Sequence, residues 1–146
     1  QVRDAVAKGA TVVTGGERLT EGPLADGYFY APTVLTGVTE EMVIYREETF
    51  GPVAPVIVFD DEAEVLAMAN DTEYGLASYV YTNDLGRAYR AIEALRFGIV
   101  GVNDINPTAA AAPFGGVKAS GLGREGSRYG IDEYVEMKYL CLTIEP

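Results

Sequence analysis

At 146 residues and 48% hydrophobic composition, the chain is long enough for one folded domain and too apolar to remain disordered. Its net charge of −11, from 22 acidic against 11 basic residues, argues against nucleic acid or an anionic membrane surface as a partner. The absence of histidine excludes a histidine general base, a Ser-His-Asp triad and a His-ligated zinc site, and a single cysteine excludes an internal disulfide.

Gln1 to Lys8 reads as the last turns of a helix stopped at Gly9, with no N-cap before it. The expectation is that the chain begins partway through a larger fold. No signal peptide opens it and no apolar run approaches about 18 residues, so no membrane-spanning helix is expected and a cytoplasmic setting is. Ala10 to Thr14 is a short β-rich run ended by Gly15-Gly16, and Glu17 to Gly27 is a polar surface loop. Tyr28 to Leu35 is a second extended run. Pro32 inside it predicts an edge strand or an irregular one. Thr39 to Met42 is predicted as a single turn.

Val53 to Phe59, VAPVIVF, reads as a buried strand. Asp61 and Glu64 form a D-x-x-E capping pattern that opens a helix ending near Asn70. Leu76 to Thr82 is strand-like. Asn83 and Asp84 start a second helix with Ala88, Tyr89, Ile92 and Leu95 on one face. Gly98 closes it, and Ile99 to Asn103 is another short buried strand. Strand, helix, strand, helix, strand between Val53 and Asn103 predicts an open, mostly parallel βαβ sheet of the α/β class. Ligands on such sheets lie beyond the carboxyl ends of the strands, and the loop after Asn103 leaves from such an end.

That loop contains Pro113 to Gly126, PFGGVKASGLGREG, with five glycines. Such density survives where backbone passes close to something or takes a positive φ. Long ordered loops of this kind carry function more often than not. Gly121 to Gly126 spells GxGxxG, the dinucleotide fingerprint. It lacks the strand that must end at the first glycine, and it lacks the acidic residue about 20 positions later. The fingerprint reading is therefore set aside. Arg124 to Tyr134 has helical character interrupted by Gly130. Val135 to Ile144 is strand-like, an exposed edge that a second subunit would cover.

Three motifs then stand in order: EETFGPV at 47–53, NDTEYGLASYVYTND at 70–84 and PFGGVKASGLGREG at 113–126. In that order and spacing the chain resembles the C-terminal part of the aldehyde dehydrogenase superfamily, with the closest look to succinate-semialdehyde dehydrogenases. The resemblance covers essentially all residues. It implies hydride transfer from a thiohemiacetal on a cysteine to NAD or NADP, then thioester hydrolysis. It also implies that the nucleophile, its glutamate base, the oxyanion asparagine and the dinucleotide domain precede this segment, so that the chain alone is inactive.

Carried over, Glu48 matches the glutamate that binds the nicotinamide ribose hydroxyls, and Phe50 the aromatic beside the nicotinamide ring. A carboxylate can accept from two adjacent hydroxyls at once. Without the resemblance, the same two residues read as an acidic turn and a core phenylalanine. Phe114 matches the aromatic near the substrate tunnel. Thr108 falls where succinate-semialdehyde enzymes place a serine for the substrate carboxylate, although NPTAAAA departs from their pattern. Arg124 and Glu136 match a subunit-interface network. The resemblance thus implies a small aldehyde, expected to be succinic semialdehyde, as substrate. It implies residues 1–134 as catalytic-domain portion, 135–146 as oligomerisation tail, and a homo-oligomer built through that tail. Lys118 reads as structural, donating to loop carbonyls. Cys141 lies in the terminal strand, away from the family's catalytic position, with nothing near in sequence to activate it. A non-catalytic nucleotide- or anion-binding module and an assembly fragment are the competing readings.

Overall fold

The computed structural model describes residues 1–145; Pro146 lies outside the described residues. The chain forms two compact units, Gln1–Asp61 and the part from Glu62 onward. The class is mixed α/β with small sheets, as the sequence predicts. Among the described residues no helix is long and apolar enough to cross a membrane.

In the first unit α1 spans Val2–Ala7 and ends before Gly9, whose φ of +103° is the left-handed turn a glycine allows. Strands β1 (Thr11–Thr14), β2 (Thr33–Thr36) and β3 (Val53–Val56) form one sheet in that order, with the single turn of α2, Val43–Arg46, between β2 and β3. β1 runs antiparallel to β2, pairing Thr11 with Thr36, and β3 runs parallel to β2, pairing Thr33 with Val53. Ala5, Ala10, Leu35, Val38, Met42 and Ile44 make the core, Leu35 and Met42 being the largest side chains fully out of water. Thr33 is the buried polar residue here. Its hydroxyl donates to Ala31 O at 2.7 Å and accepts from Gly16 N–H at 2.8 Å, so burial leaves no lone donor.

Two expectations, for the runs 28–35 and 53–59, need correction in this unit. The run 28–35 becomes a strand only from Thr33, and that strand is central rather than edge. Pro32 stands just outside it, where a missing N–H breaks no ladder bond. The turn expected at 39–42 is present, Met42 N–H donating to Thr39 O at 3.1 Å, and runs into the helical turn at Val43–Arg46. The run 53–59 is a strand only over 53–56 and is not buried: Ala54, Pro55 and Val56 are exposed. β3 is an outer strand, which is where a proline fits.

The second unit contains α3 (Glu62–Asn70), β4 (Ala77–Val80), α4 (Leu85–Ala94) and β5 (Ile99–Val102). β4 and β5 are parallel, pairing Ala77 with Ile99 and Val80 with Val102, so β4–α4–β5 is the expected crossover unit. The expected membership of β3 in the same ladder is wrong: β3 pairs with β2, through the earlier crossover that contains α2. Asp84 caps α4 by accepting Arg87 N–H at 2.9 Å. The buried side chains of α4 are Ala88 and Ala91, joined by Leu95 just past its end, whereas Tyr89 and Ile92 are exposed. Small side chains at 88 and 91 let the helix approach closely, which leaves its bulkier neighbours facing outward.

The expected helix over 124–134 is reduced to a 3-10 stretch, Gly130–Tyr134. Gly126 and Ser127 take φ of +68° and +52°, which no right-handed helix accommodates. Beyond it Val135 is extended (φ −129°, ψ 154°), but residues 135–145 carry no strand, and all are exposed. Extended backbone becomes a strand only against a hydrogen-bonding neighbour.

α3 and α4 are tied by Glu62, whose carboxylate meets Arg90 at 2.6 Å and Arg87 at 3.3 Å. The Arg90 hydrogen bond, followed by that of Arg87, holds the Glu62 carboxyl at about 2, below its ordinary 4.5. A depressed carboxylate contributes stability above its unfolded pKa and loses it as pH falls through the folded one. Glu62→Gln is therefore expected to remove an acid-sensitive component between pH 4.5 and about 2. Urea midpoints of both proteins across that window check this: the gap between them should narrow as pH drops.

Candidate functional site

In the second unit the glycine-rich stretch folds back on itself. Phe114 and Glu125 form an isolated antiparallel bridge, Phe114 N–H donating to Glu125 O at 2.9 Å and Glu125 N–H to Phe114 O at 2.7 Å. Between them lies one 3-10 turn, Lys118–Ser120, entered by Lys118 at a φ of +58°. No strand runs into Gly121 and no α-helix opens at it, so the GxGxxG there is not a dinucleotide fingerprint.

The segment just after α3 holds this loop in place. Gly75 O accepts both Val117 N–H and Gly98 N–H at 3.0 Å, Gly75 N–H donates to Ser120 Oγ at 3.0 Å, and Ala119 N–H donates to Glu73 O at 2.9 Å. Lys118 Nζ donates to Thr72 O at 3.2 Å and Asn70 O at 3.4 Å, and lies 5.3 Å from the Phe97 ring centroid. The structural reading of Lys118 holds. Its ammonium serves carbonyls left unpaired at and just beyond the end of α3.

The folded loop borders an open cavity of about 900 Å³, lined by Phe114, Ser120, Leu122, Arg124, Glu125 and Glu133 among others. Arg124 Nη1 donates to Gly116 O at 2.8 Å and Gly123 O at 2.6 Å, and Arg124 N–H donates to Glu133 Oε1 at 3.2 Å. Phe114 and Arg124 therefore meet at one cavity. Glu136 is exposed and no ion pair joins it to Arg124 among the described residues. Thr108 is exposed outside the cavity, its hydroxyl donating to Asn106 Oδ1 at 2.7 Å. Sequence reasoning missed Ser120 and Glu133. Ser120 stood within the motif. Glu133, nine residues past the backbone it holds, carried no signal.

In the first unit Phe50 is 94% exposed and borders a cleft of about 630 Å³ with Tyr28, Phe29, Thr49 and Pro52. Glu48 is exposed and lies outside the cleft's lining. The segment carrying both is held from α1: Gln1 Nε2 donates to Glu48 O at 3.2 Å, and Thr49 Oγ1 donates to Gln1 Oε1 at 2.8 Å. Cys141 is exposed in the terminal tail. No group of three metal-ligating side chains exists among the described residues.

Comparison with known proteins decides the family. The model of the aldehyde dehydrogenase family matches residues 1–140. The chain belongs to the aldehyde dehydrogenase family. Members of that family are oxidoreductases acting on aldehydes, so the resemblance carried by the three motifs is correct. The chain is 53% identical over 143 residues to glutarate-semialdehyde dehydrogenase of Pseudomonas putida, a match over 98% of this chain and 28% of that protein. It is 53% identical to the succinate-semialdehyde dehydrogenase [NADP(+)] of Escherichia coli, over 98% of this chain and 29% of that one. The crystal structure of succinate-semialdehyde dehydrogenase from Burkholderia pseudomallei superimposes with a TM-score of 0.87 at 54% identity, covering 98% of this chain and 29% of that one. The chain thus spans under a third of the length of the relatives it matches.

Gly98 is the glycine most tightly committed to this loop: a methyl group there would overlap the carbonyl oxygen of Gly115. The atoms it would meet, Gly115 O and C and Gly116 Cα, are backbone, so no rotamer change relieves the clash. Gly98→Ala is expected to displace residues 114–116 and lower the midpoint of thermal unfolding. Faster hydrogen exchange at Phe114 and Val117, with α4 amides unchanged, is the pattern that checks it.

Proposed function

We propose that this chain is the C-terminal segment of an NAD- or NADP-dependent dehydrogenase that oxidises a short semialdehyde bearing a carboxylate, succinic semialdehyde foremost, to the acid. The observation that carries this reading is the match over 98% of the chain, at 53% identity, to enzymes whose names specify glutarate and succinate semialdehydes. Two units contribute separately. In the first, Glu48 faces the ribose hydroxyls of the nicotinamide nucleoside and Phe50 faces its ring. The residues fit that group: an exposed carboxylate suits a vicinal diol and a bare aromatic ring suits a flat heterocycle. When bound, the dinucleotide supplies the hydride acceptor. The residues of this chain hold and orient it.

In the second unit Phe114 provides an apolar wall for the aldehyde. Thr108 is the donor proposed for the far carboxylate, a task that requires its hydroxyl to leave Asn106. Arg124 and Glu136 belong to a subunit interface, and residues 135–146 form a tail that pairs with a second copy. The exposure of Met137, Leu140, Leu142 and Ile144 supports that assignment, since an extended apolar tail gains by adding to a sheet edge. A cytoplasmic setting accords with the single free thiol.

Purified alone, the 146-residue chain is expected to turn over neither succinic nor glutaric semialdehyde with NAD+ or NADP+. Clear turnover would overturn the reading. In the complete enzyme, Glu48→Gln is expected to raise the KM for the dinucleotide about tenfold, the cost of weakening charged hydrogen bonds. Steady-state kinetics at saturating aldehyde measures it.

A further inference from the structure

One polar ridge of α1 runs through Gln1, Asp4 and Lys8, positions that share a face of a helix. All three side chains reach the backbone of one other segment. Lys8 Nζ donates to Glu41 O at 2.7 Å. Asp4 Oδ2 accepts Val43 N–H, the first amide of α2, at 2.8 Å. Gln1 holds the Glu48 carbonyl and the Thr49 hydroxyl, at 3.2 Å and 2.8 Å. A Lys8–Asp4 ion pair at 2.8 Å keeps two members of the ridge in register. On the other side of α1, Ala5 packs in the core with Met42 and Ile44. The helix therefore grips residues 41–49 by core packing on one flank and by four polar contacts on the other.

We propose that Gln1 and Asp4 are positioning residues for the dinucleotide: they act by fixing the backbone from Val43 to Thr49 and hence the directions in which Glu48 and Phe50 leave it. This rests on the assignment of Glu48 and Phe50 to the cofactor. The need for such a clamp follows from the segment itself. Glu47 is already extended (φ −92°, ψ 142°), Glu48 and Phe50 are exposed, and the first inter-strand bond after α2 is at Pro52, whose carbonyl accepts Thr33 N–H at 2.8 Å. Without the ridge this stretch samples many backbone states, and binding must then select the competent one from among them. Gln1 borders the cleft beside Phe50, but its bonds go to the Glu48 carbonyl and the Thr49 hydroxyl; Asp4 is not part of the cleft lining and bonds Val43 N–H, so the action of both on Glu48 and Phe50 runs through the backbone.

The test uses the complete enzyme carrying this segment, with Gln1→Ala, Asp4→Ala, Asp4→Asn and Glu48→Gln, and NAD+ or NADP+ as the varied ligand. Gln1→Ala and Asp4→Ala are each expected to raise the dinucleotide KM about fivefold, the worth of a typical hydrogen bond, with kcat within twofold of the parent. Asp4→Asn keeps an oxygen for Val43 N–H and is expected to stay near the parent value. Gln1 is exposed, so Gln1→Ala and Asp4→Asn carry the test if Asp4→Ala does not fold. If Glu48→Gln raises KM while Gln1→Ala leaves it unchanged, the positioning role is overturned and the cofactor assignment stands. If Glu48→Gln itself leaves KM unchanged, the cofactor assignment falls and the positioning role with it. A drop in melting temperature with KM unchanged would mark a purely structural ridge and also overturn the proposal.

Discussion

The peptide group of Gly75 is the point on which the second unit depends. Its carbonyl takes two amide donors, from Val117 and Gly98, and its own amide gives to Ser120 Oγ. One residue thus joins the strand entering the sheet, the turn after α4 and the glycine-rich loop. Only glycine fits. An added methyl would come within 2.8 Å of Val117 Cγ2 and 3.0 Å of its carbonyl oxygen. Backbone thus ties the loop to the β4–α4–β5 crossover, and the side chains of Ser120, Arg124 and Glu133 complete its hold. Around it, Asn70 does similar work for the helices: its side-chain amide donates to Ala94 O at 2.8 Å and accepts Arg96 N–H at 2.8 Å, pairing groups at the end of α4 that would otherwise be left over.

The first unit solves a comparable problem with side chains. Its sheet is small, its outer strand is exposed, and its core is six residues. Packing of that size does not by itself fix the irregular stretch from 37 to 52. Polar contacts from α1 complete the work, and Asp4 is tuned to it: the Lys8 hydrogen bond, then the Val43 amide, lower its carboxyl pKa, so it stays ionised where the ridge must hold.

Much of this was legible in the sequence, and what was not has physical causes. Gly9, the D-x-x-E at 61–64 and Asp84 announce helix ends because capping is local chemistry, and α1, α3 and α4 lie close to where they were expected. Strand partners are not local. The apolar run at 53–59 has the composition of a buried strand, but its place depends on which edge is free, and β2 supplied it. The same applies to α4, where helical spacing named the right stretch but the wrong arc: Tyr89 and Ile92 point outward because Ala88 and Ala91 make the close approach. Ser127, a non-glycine residue at positive φ, ended a helix that propensity would have extended. At the site, glycine density marked the loop as constrained backbone, while Phe114 and Arg124 were singled out by the resemblance of their motif to the family. Glu133 was not, since a carboxylate accepting a single amide leaves no trace in spacing.

The loop's attachment through main-chain atoms has an evolutionary side. Ala119 is held by its own amide, and Leu122 is exposed within the cavity lining, so neither side chain bears the burden of keeping the loop folded. Such positions can exchange one side chain for another while the frame stays put. A single backbone frame can in this way carry different cavity linings, with surface chemistry changing faster than architecture.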